Sequence, residues 1–137
     1  MLLASYKGTQ AGYKGLGNII IRWRLKSQYS HSEIVFEPDD DVYDFIAPSL
    51  RQEALEHKTD LFMGSSTGTD RIPNYSHYRS GKLGGVRLKY HRYDETKWDY
   101  IRLPPDVFSA MEAMKVFMNE EGKCYDWKLI GSFVSWV

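Results

Sequence analysis

Tyr29-Ser30-His31-Ser32-Glu33-Ile34-Val35-Phe36 is the stretch whose reading decides the fold. In extended backbone successive side chains alternate between faces, so His31, Glu33 and Val35 share one face and Ser32, Ile34 and Phe36 the other. Pro38 with Asp39, Asp40 and Asp41 then makes a turn, and residues 42–46 are the expected partner strand. Upstream, residues 1–6 read as another short strand, closed by a glycine-rich run at Gly8, Gly12, Gly15 and Gly17. Asn18 offers a helix cap, and Ile19, Ile20 and Trp23 follow at helical spacing up to about Lys26.

Downstream, residues 48–81 are rich in Ser, Gly, Thr and Asn and read mostly as loop. Residues 86–90 and 98–103 read as two more strands. Between Pro105 and Gly122, Val107, Ala110, Met111, Met114, Phe117 and Met118 recur at helical spacing, which predicts a helix over 106–121 that buries this stripe. A last helix is expected from Asp126 through Leu129, Ile130 and Phe133. Strands that pair as antiparallel neighbours, with helices between and after them, give an α+β fold: a small antiparallel sheet with helices packed on one side. The chain closes on Phe133-Val134-Ser135-Trp136-Val137, so either the last helix docks firmly or the fold is incomplete at the C-terminus.

Composition narrows the function classes. The 137 residues suit one domain, 1–137. A hydrophobic content of 42% with 15% aromatics excludes wholesale disorder. Lys and Arg number 18 and Asp and Glu 18, which argues against a dedicated nucleic-acid binder. The sequence has no apolar run long enough for a membrane span, and its first residues are too short in apolar length for a signal peptide. The expected setting is cytoplasmic, of an infected bacterial host, or virion-associated. One cysteine, Cys124, excludes an internal disulfide framework and a multi-cysteine zinc site.

Among residues that carry chemistry, His31 with Glu33 comes first, because a carboxylate beside an imidazole fixes its tautomer and stabilises its charged form. The same spacing also describes a half-exposed strand histidine with a cross-strand partner. Cys124, in Gly122-Lys123-Cys124-Tyr125-Asp126, stands just ahead of the expected last helix, where the helix N-terminus and Lys123 favour a thiolate. It equally describes a small apolar residue in a helix–helix turn. His57 and His91 have charged neighbours and read as solvent-facing, and His77 lies in the loop-like middle. Four scattered histidines show no ligand spacing, so no metal or other cofactor is expected. The glycine-rich run lacks the ending of a phosphate loop and fits a turn bringing backbone towards a cleft.

Taken together these stretches resemble the permuted NlpC/P60 hydrolases, papain-like cysteine peptidases often met in bacteriophage. The resemblance lies in Tyr6-Lys7-Gly8-Thr9, Ile21-Arg22-Trp23, the segment 29–36, Gly84-Gly85-Val86-Arg87, Trp98-Asp99-Tyr100-Ile101, and Gly122-Lys123-Cys124-Tyr125-Asp126-Trp127. It implies a circularly permuted papain-like fold in which His31 is the general base, the nucleophilic cysteine follows it in sequence, and Glu33 orients the base. Asp44, on the expected neighbouring strand, is the other candidate for that third role. Peptide amides of the cell wall are the implied substrates. In many relatives the cysteine opens a later helix as Cys-Ser-Glu, which these 137 residues do not contain. Either Cys124 takes the role, or the domain is a truncated or inactive member, a pseudoenzyme that binds or inhibits a partner such as a host protein.

Overall fold

The computed structural model describes residues 1–71 and 83–124. It is an α+β structure around one five-stranded antiparallel sheet. In chain order the elements are β1 (Leu2–Tyr6), α1 (Tyr13–Leu25), β2 (His31–Phe36), α2 (Pro48–Glu56), β3 (Phe62–Arg71), β4 (Leu83–Tyr90), β5 (Trp98–Arg102) and α3 (Ala110–Glu120). Across the sheet the strand order is β4-β3-β2-β1-β5, so β1 sits between β2 and β5, and the two last strands in sequence form opposite edges.

The register assigns the two faces. Leu2 pairs with Val35, Ala4 with Glu33 and Tyr6 with His31, while on the other side of β1 Ala4 pairs with Tyr100 and Tyr6 with Trp98. Directly paired residues share a face, which puts His31, Glu33, Tyr6, Ala4, Trp98 and Tyr100 together on one face. The opposite face carries Ile34, Phe36, Phe62, Leu88 and Tyr90, and there the main core forms with Val42, Ile46, Leu50, Ala54 and Met114. Helices α2 and α3 supply its outer layer: Leu50 and Ala54 are four apart on α2, one turn of the same stripe.

Several expected elements take another form. Residues 42–46 are not a strand; Tyr43–Phe45 is a single 3₁₀ turn. Val42 and Ile46 both reach the core from it, a spacing that a strand would also have allowed but that the turn achieves by bonding Tyr43 N–H to the Asp40 carbonyl. The real neighbours of β2 are β1 and β3. The segment expected as loop holds α2, opened by Pro48 in its first turn, and β3. Helix α1 begins at Tyr13, not after Asn18, and contains Gly15 and Gly17. Gly15 is required there because a Cβ would stand 2.0 Å from the Gln10 carbonyl oxygen, where the preceding loop crosses the helix.

The stripe on α3 is narrower than expected. Met114 is buried and Ala110, Met111 and Phe117 pack against the core, but Val107 precedes the helix and it and Met118 are exposed. The boundary is set by Ser109, whose hydroxyl accepts the Glu112 N–H, a serine cap with glutamate three residues on. The expected helix from Asp126 lies outside the described residues.

Candidate functional site

The site begins with strand geometry. His31 and Glu33 are two apart on β2, so their side chains rise from the same face, and His31 Nε2 meets Glu33 Oε2 at 3.1 Å. The two differ in exposure: the His31 side chain is 35% exposed and that of Glu33 only 2%. An ionised carboxylate only accepts hydrogen bonds, so Nε2 carries the proton in this pair and Nδ1 is left as the acceptor on the ring.

A second element completes the carboxylate's surroundings. Residues 91–97 join β4 to β5, which lie on opposite edges, so this segment must pass across β3, β2 and β1. Four strand spacings amount to about 19 Å, and the eight peptide steps from Tyr90 to Trp98 reach at most about 27 Å. The crossing leaves little slack and runs over the face that holds Glu33. It lays Tyr93 on β2, where the phenol O–H donates a very short hydrogen bond to Glu33 Oε1. His91, at the start of the crossing, packs edge-on against Tyr93 at 4.5 Å and Trp98 at 5.9 Å between ring centroids. Trp98 in turn touches Tyr6, His31 and Tyr93. The result is a buried carboxylate under a collar of rings, beside a part-exposed imidazole.

The electrostatics follow from that arrangement. Burial pushes the Glu33 carboxyl up, but the hydrogen bonds from His31 and Tyr93, helped by His31 and His91, outweigh it and hold the group below the ordinary carboxylate value. Burial, and then the Glu33 charge with its hydrogen bond, push the Tyr93 phenol far above its usual value, so it stays a donor. Glu33 is therefore ionised at neutral pH and fixed on both oxygens. Such a carboxylate orients an imidazole and fixes its tautomer.

Tyr93 and His91 are the members that sequence reading missed. His91 was expected to face solvent and instead lies half-buried in the collar. Asp44, the alternative third member, is on the 3₁₀ turn with its side chain 92% exposed and bonded to Arg51, so it does not serve His31. His57 is exposed and stacks on Tyr90. His77 lies outside the described residues.

Cys124 stands elsewhere. Gly122 N–H bonds to the Val86 carbonyl and Val86 N–H to the Lys123 carbonyl, so this backbone runs along the outer edge of β4. Strands β4 and β3 separate it from β2. Three strand spacings place the two backbones about 14 Å apart, against the roughly 3–4 Å that a working thiol–imidazole pair requires. The thiol is exposed. The structure brings His31 and Glu33 together, adds Tyr93, and leaves Cys124 at the sheet's rim.

Near the far end of β1 a separate hollow of about 400 Å³ opens among Met1, Asp39, Asp40, Asp41, Arg102 and Phe108. It faces the other end of the strand from His31. Among the described residues no group of three or more His, Cys, Asp or Glu side chains is placed to hold a metal ion, and no helix is long and apolar enough to cross a membrane. No family model, curated protein or solved structure matches the chain.

Proposed function

We propose that this chain is a cysteine-hydrolase-like domain of the amidase or endopeptidase class, with His31 as general base and peptide amides, such as those of the cell wall, as substrates. One observation carries the reading: His31 Nε2 is held at 3.1 Å by a buried, ionised Glu33 whose other oxygen is held by Tyr93. A part-exposed histidine kept in one tautomer, with its second nitrogen left as an acceptor, is the arrangement that proton transfer to and from a reacting group needs. The reaction requires a thiol brought to Nδ1, a place that Cys124 at the edge of β4 does not occupy; there Nδ1 would take the thiol proton and the thiolate would add to the carbonyl carbon. The C–N bond then breaks as the imidazolium returns the proton to the leaving nitrogen. Water, deprotonated by the same ring, cleaves the thioester and releases the acid and the thiol. Tyr93 keeps Glu33 as an acceptor, so Glu33 holds the ring and does not take the proton itself.

The order of the motifs Gly8-Thr9, Ser30-His31-Ser32-Glu33 and Gly122-Lys123 supports the permuted NlpC/P60 kinship in this proposal. A second reading, a non-catalytic member that binds or inhibits a partner such as a host protein, is favoured by the position of Cys124 against the outer edge of β4. Thiol alkylation separates the two. The catalytic reading requires Cys124 to leave the outer edge of β4 and reach His31: iodoacetamide then modifies Cys124 rapidly, His31→Ala slows it at least tenfold, and cell-wall peptides are cleaved by the wild type alone. A rate unchanged in His31→Ala, with no cleavage, favours the binding protein.

A further inference from the structure

Helix α1 is built inside out. At about 100° per residue, Tyr13, Leu16, Ile19, Ile20 and Trp23 fall within one arc of roughly a third of the helix circumference, and all five are exposed, by 38 to 77%. The side facing the protein is polar or bare. Gly15 is buried against the preceding loop, Asn18 bonds the Gln10 N–H and the Ser30 hydroxyl, and Arg22 donates to the carbonyls of Lys7 and Gly8 and to the Thr9 hydroxyl. The ordinary surface helix turns its apolar arc inward. A contiguous apolar surface turned outward marks a place of contact.

Charge identifies the chemistry of that contact. The whole chain is neutral, yet residues 1–32 carry five Lys and Arg and no Asp or Glu. Lys7 holds Asp99, and Arg22 holds the loop carbonyls. Arg24 and Lys26, both exposed, border the apolar arc on either side near Trp23. An apolar arc holding a tryptophan and a tyrosine, edged by cations and lacking acids, has the composition of a helix that lies in the plane of an anionic lipid surface. Indole and phenol rings suit the boundary between acyl chains and headgroups, and the basic edge suits lipid phosphate and carboxylate.

We infer that α1 seats this protein on the surface of an anionic bilayer, with Leu16, Ile19, Ile20 and Trp23 in the acyl boundary and Arg24 and Lys26 at the headgroups. The helix lies on the membrane and does not span it: 13 residues at 1.5 Å rise come to about 20 Å, short of the roughly 30 Å hydrocarbon core. The inference is independent of the His31 chemistry.

Flotation with phosphatidylcholine vesicles, with and without about one-third phosphatidylserine, tests it. The wild type is expected to float with the anionic vesicles at least about tenfold more than with neutral ones, and less as salt rises. Leu16→Glu with Trp23→Glu should abolish flotation, and Arg24→Glu with Lys26→Glu should erase the preference for the anionic lipid. Since these positions are exposed, circular dichroism should confirm that both variants stay folded. Wild type that stays in solution with both vesicle types, or Leu16→Glu/Trp23→Glu that floats as well as wild type, overturns the inference. So does a concentration-dependent dimer, seen by light scattering, that the same pair of substitutions splits while lipid has no effect; the arc then belongs to a second copy of the chain.

Discussion

Removing one oxygen, in Tyr93→Phe, tests the electrostatic account of Glu33. The phenol donates to a carboxylate whose side chain is only 2% exposed, so water has little room to replace the lost donor. Hydrogen bonds to charged groups are worth about 1.5–3 kcal/mol, and the ring stays in place to fill its volume, which puts the expected loss at about 2 kcal/mol near pH 7. In a chain of this length that is a fall in Tm of roughly 6–8 °C. The pH dependence has a definite sign. The carboxyl of Glu33 is lowered from 4.5 by folding, so its contribution is complete above that value and disappears as pH falls through the folded-state value. The Tyr93 phenol is raised from 10, so its contribution is complete below 10 and is lost only on going more alkaline. Between the two the difference between wild type and Tyr93→Phe should be flat, and below pH 4.5 it should shrink towards the roughly 1 kcal/mol of a neutral hydrogen bond. Urea denaturation followed by circular dichroism, at pH 7 and in steps down to pH 3, measures it. A loss under about 0.5 kcal/mol at pH 7, or one that does not diminish in acid, refutes the ionised, doubly held carboxylate.

Other outcomes follow from the packing. Met114→Ala, at a buried position on α3, should cost about 2–5 kcal/mol, whereas Met118→Ala, one turn on and exposed, should move the urea midpoint very little. Equal losses from the two would mean that α3 is rotated about its axis. Gly64→Ala should destabilise by roughly 1–3 kcal/mol, since its Cβ would stand 2.4 Å from the Phe117 ring; a neutral result in thermal melts would show that α3 does not press on β3. Glu33→Gln should keep the fold, retain most of the urea stability and weaken the acid-limb pH dependence, to which Asp94 and Asp99 also contribute. An undiminished acid limb would assign the dependence to those other carboxylates.

The sequence made some of this legible for clear reasons. Period two over residues 30–36 put His31 and Glu33 on one face with no need to know the neighbouring strands, and the structure has them there. Ala110, Met111, Met114 and Phe117 likewise needed only the helical repeat. Strand β3 was illegible because its Gly-Ser-Ser-Thr-Gly-Thr run has loop composition; it is extended because it pairs with β2 on one side and β4 on the other, a property of its neighbours. Tyr93 was missed for a related reason. Nothing local says that the strands before and after it lie on opposite edges of the sheet, and only that order carries it over Glu33. In α1 the repeat announced a helix, but a repeat does not say which side turns inward. There the loop at Lys7, Gly8 and Thr9 binds Arg22 and decides.

The position of β1 between β2 and β5 sets a timetable for the newborn chain. Leu2–Tyr6 is synthesised before both of its neighbours, and it gains one of them once residue 36 has appeared. Its other neighbour ends at Arg102. At about 5–20 residues per second the intervening stretch takes roughly 3–13 s to make. Throughout that interval one side of Leu2-Leu3-Ala4-Ser5-Tyr6 offers unpaired amide and carbonyl groups, in a short apolar segment without charge. Strand β5 therefore does more than complete the sheet. It withdraws from the crowded vicinity of the ribosome an uncharged strand edge able to pair with a neighbour still being made.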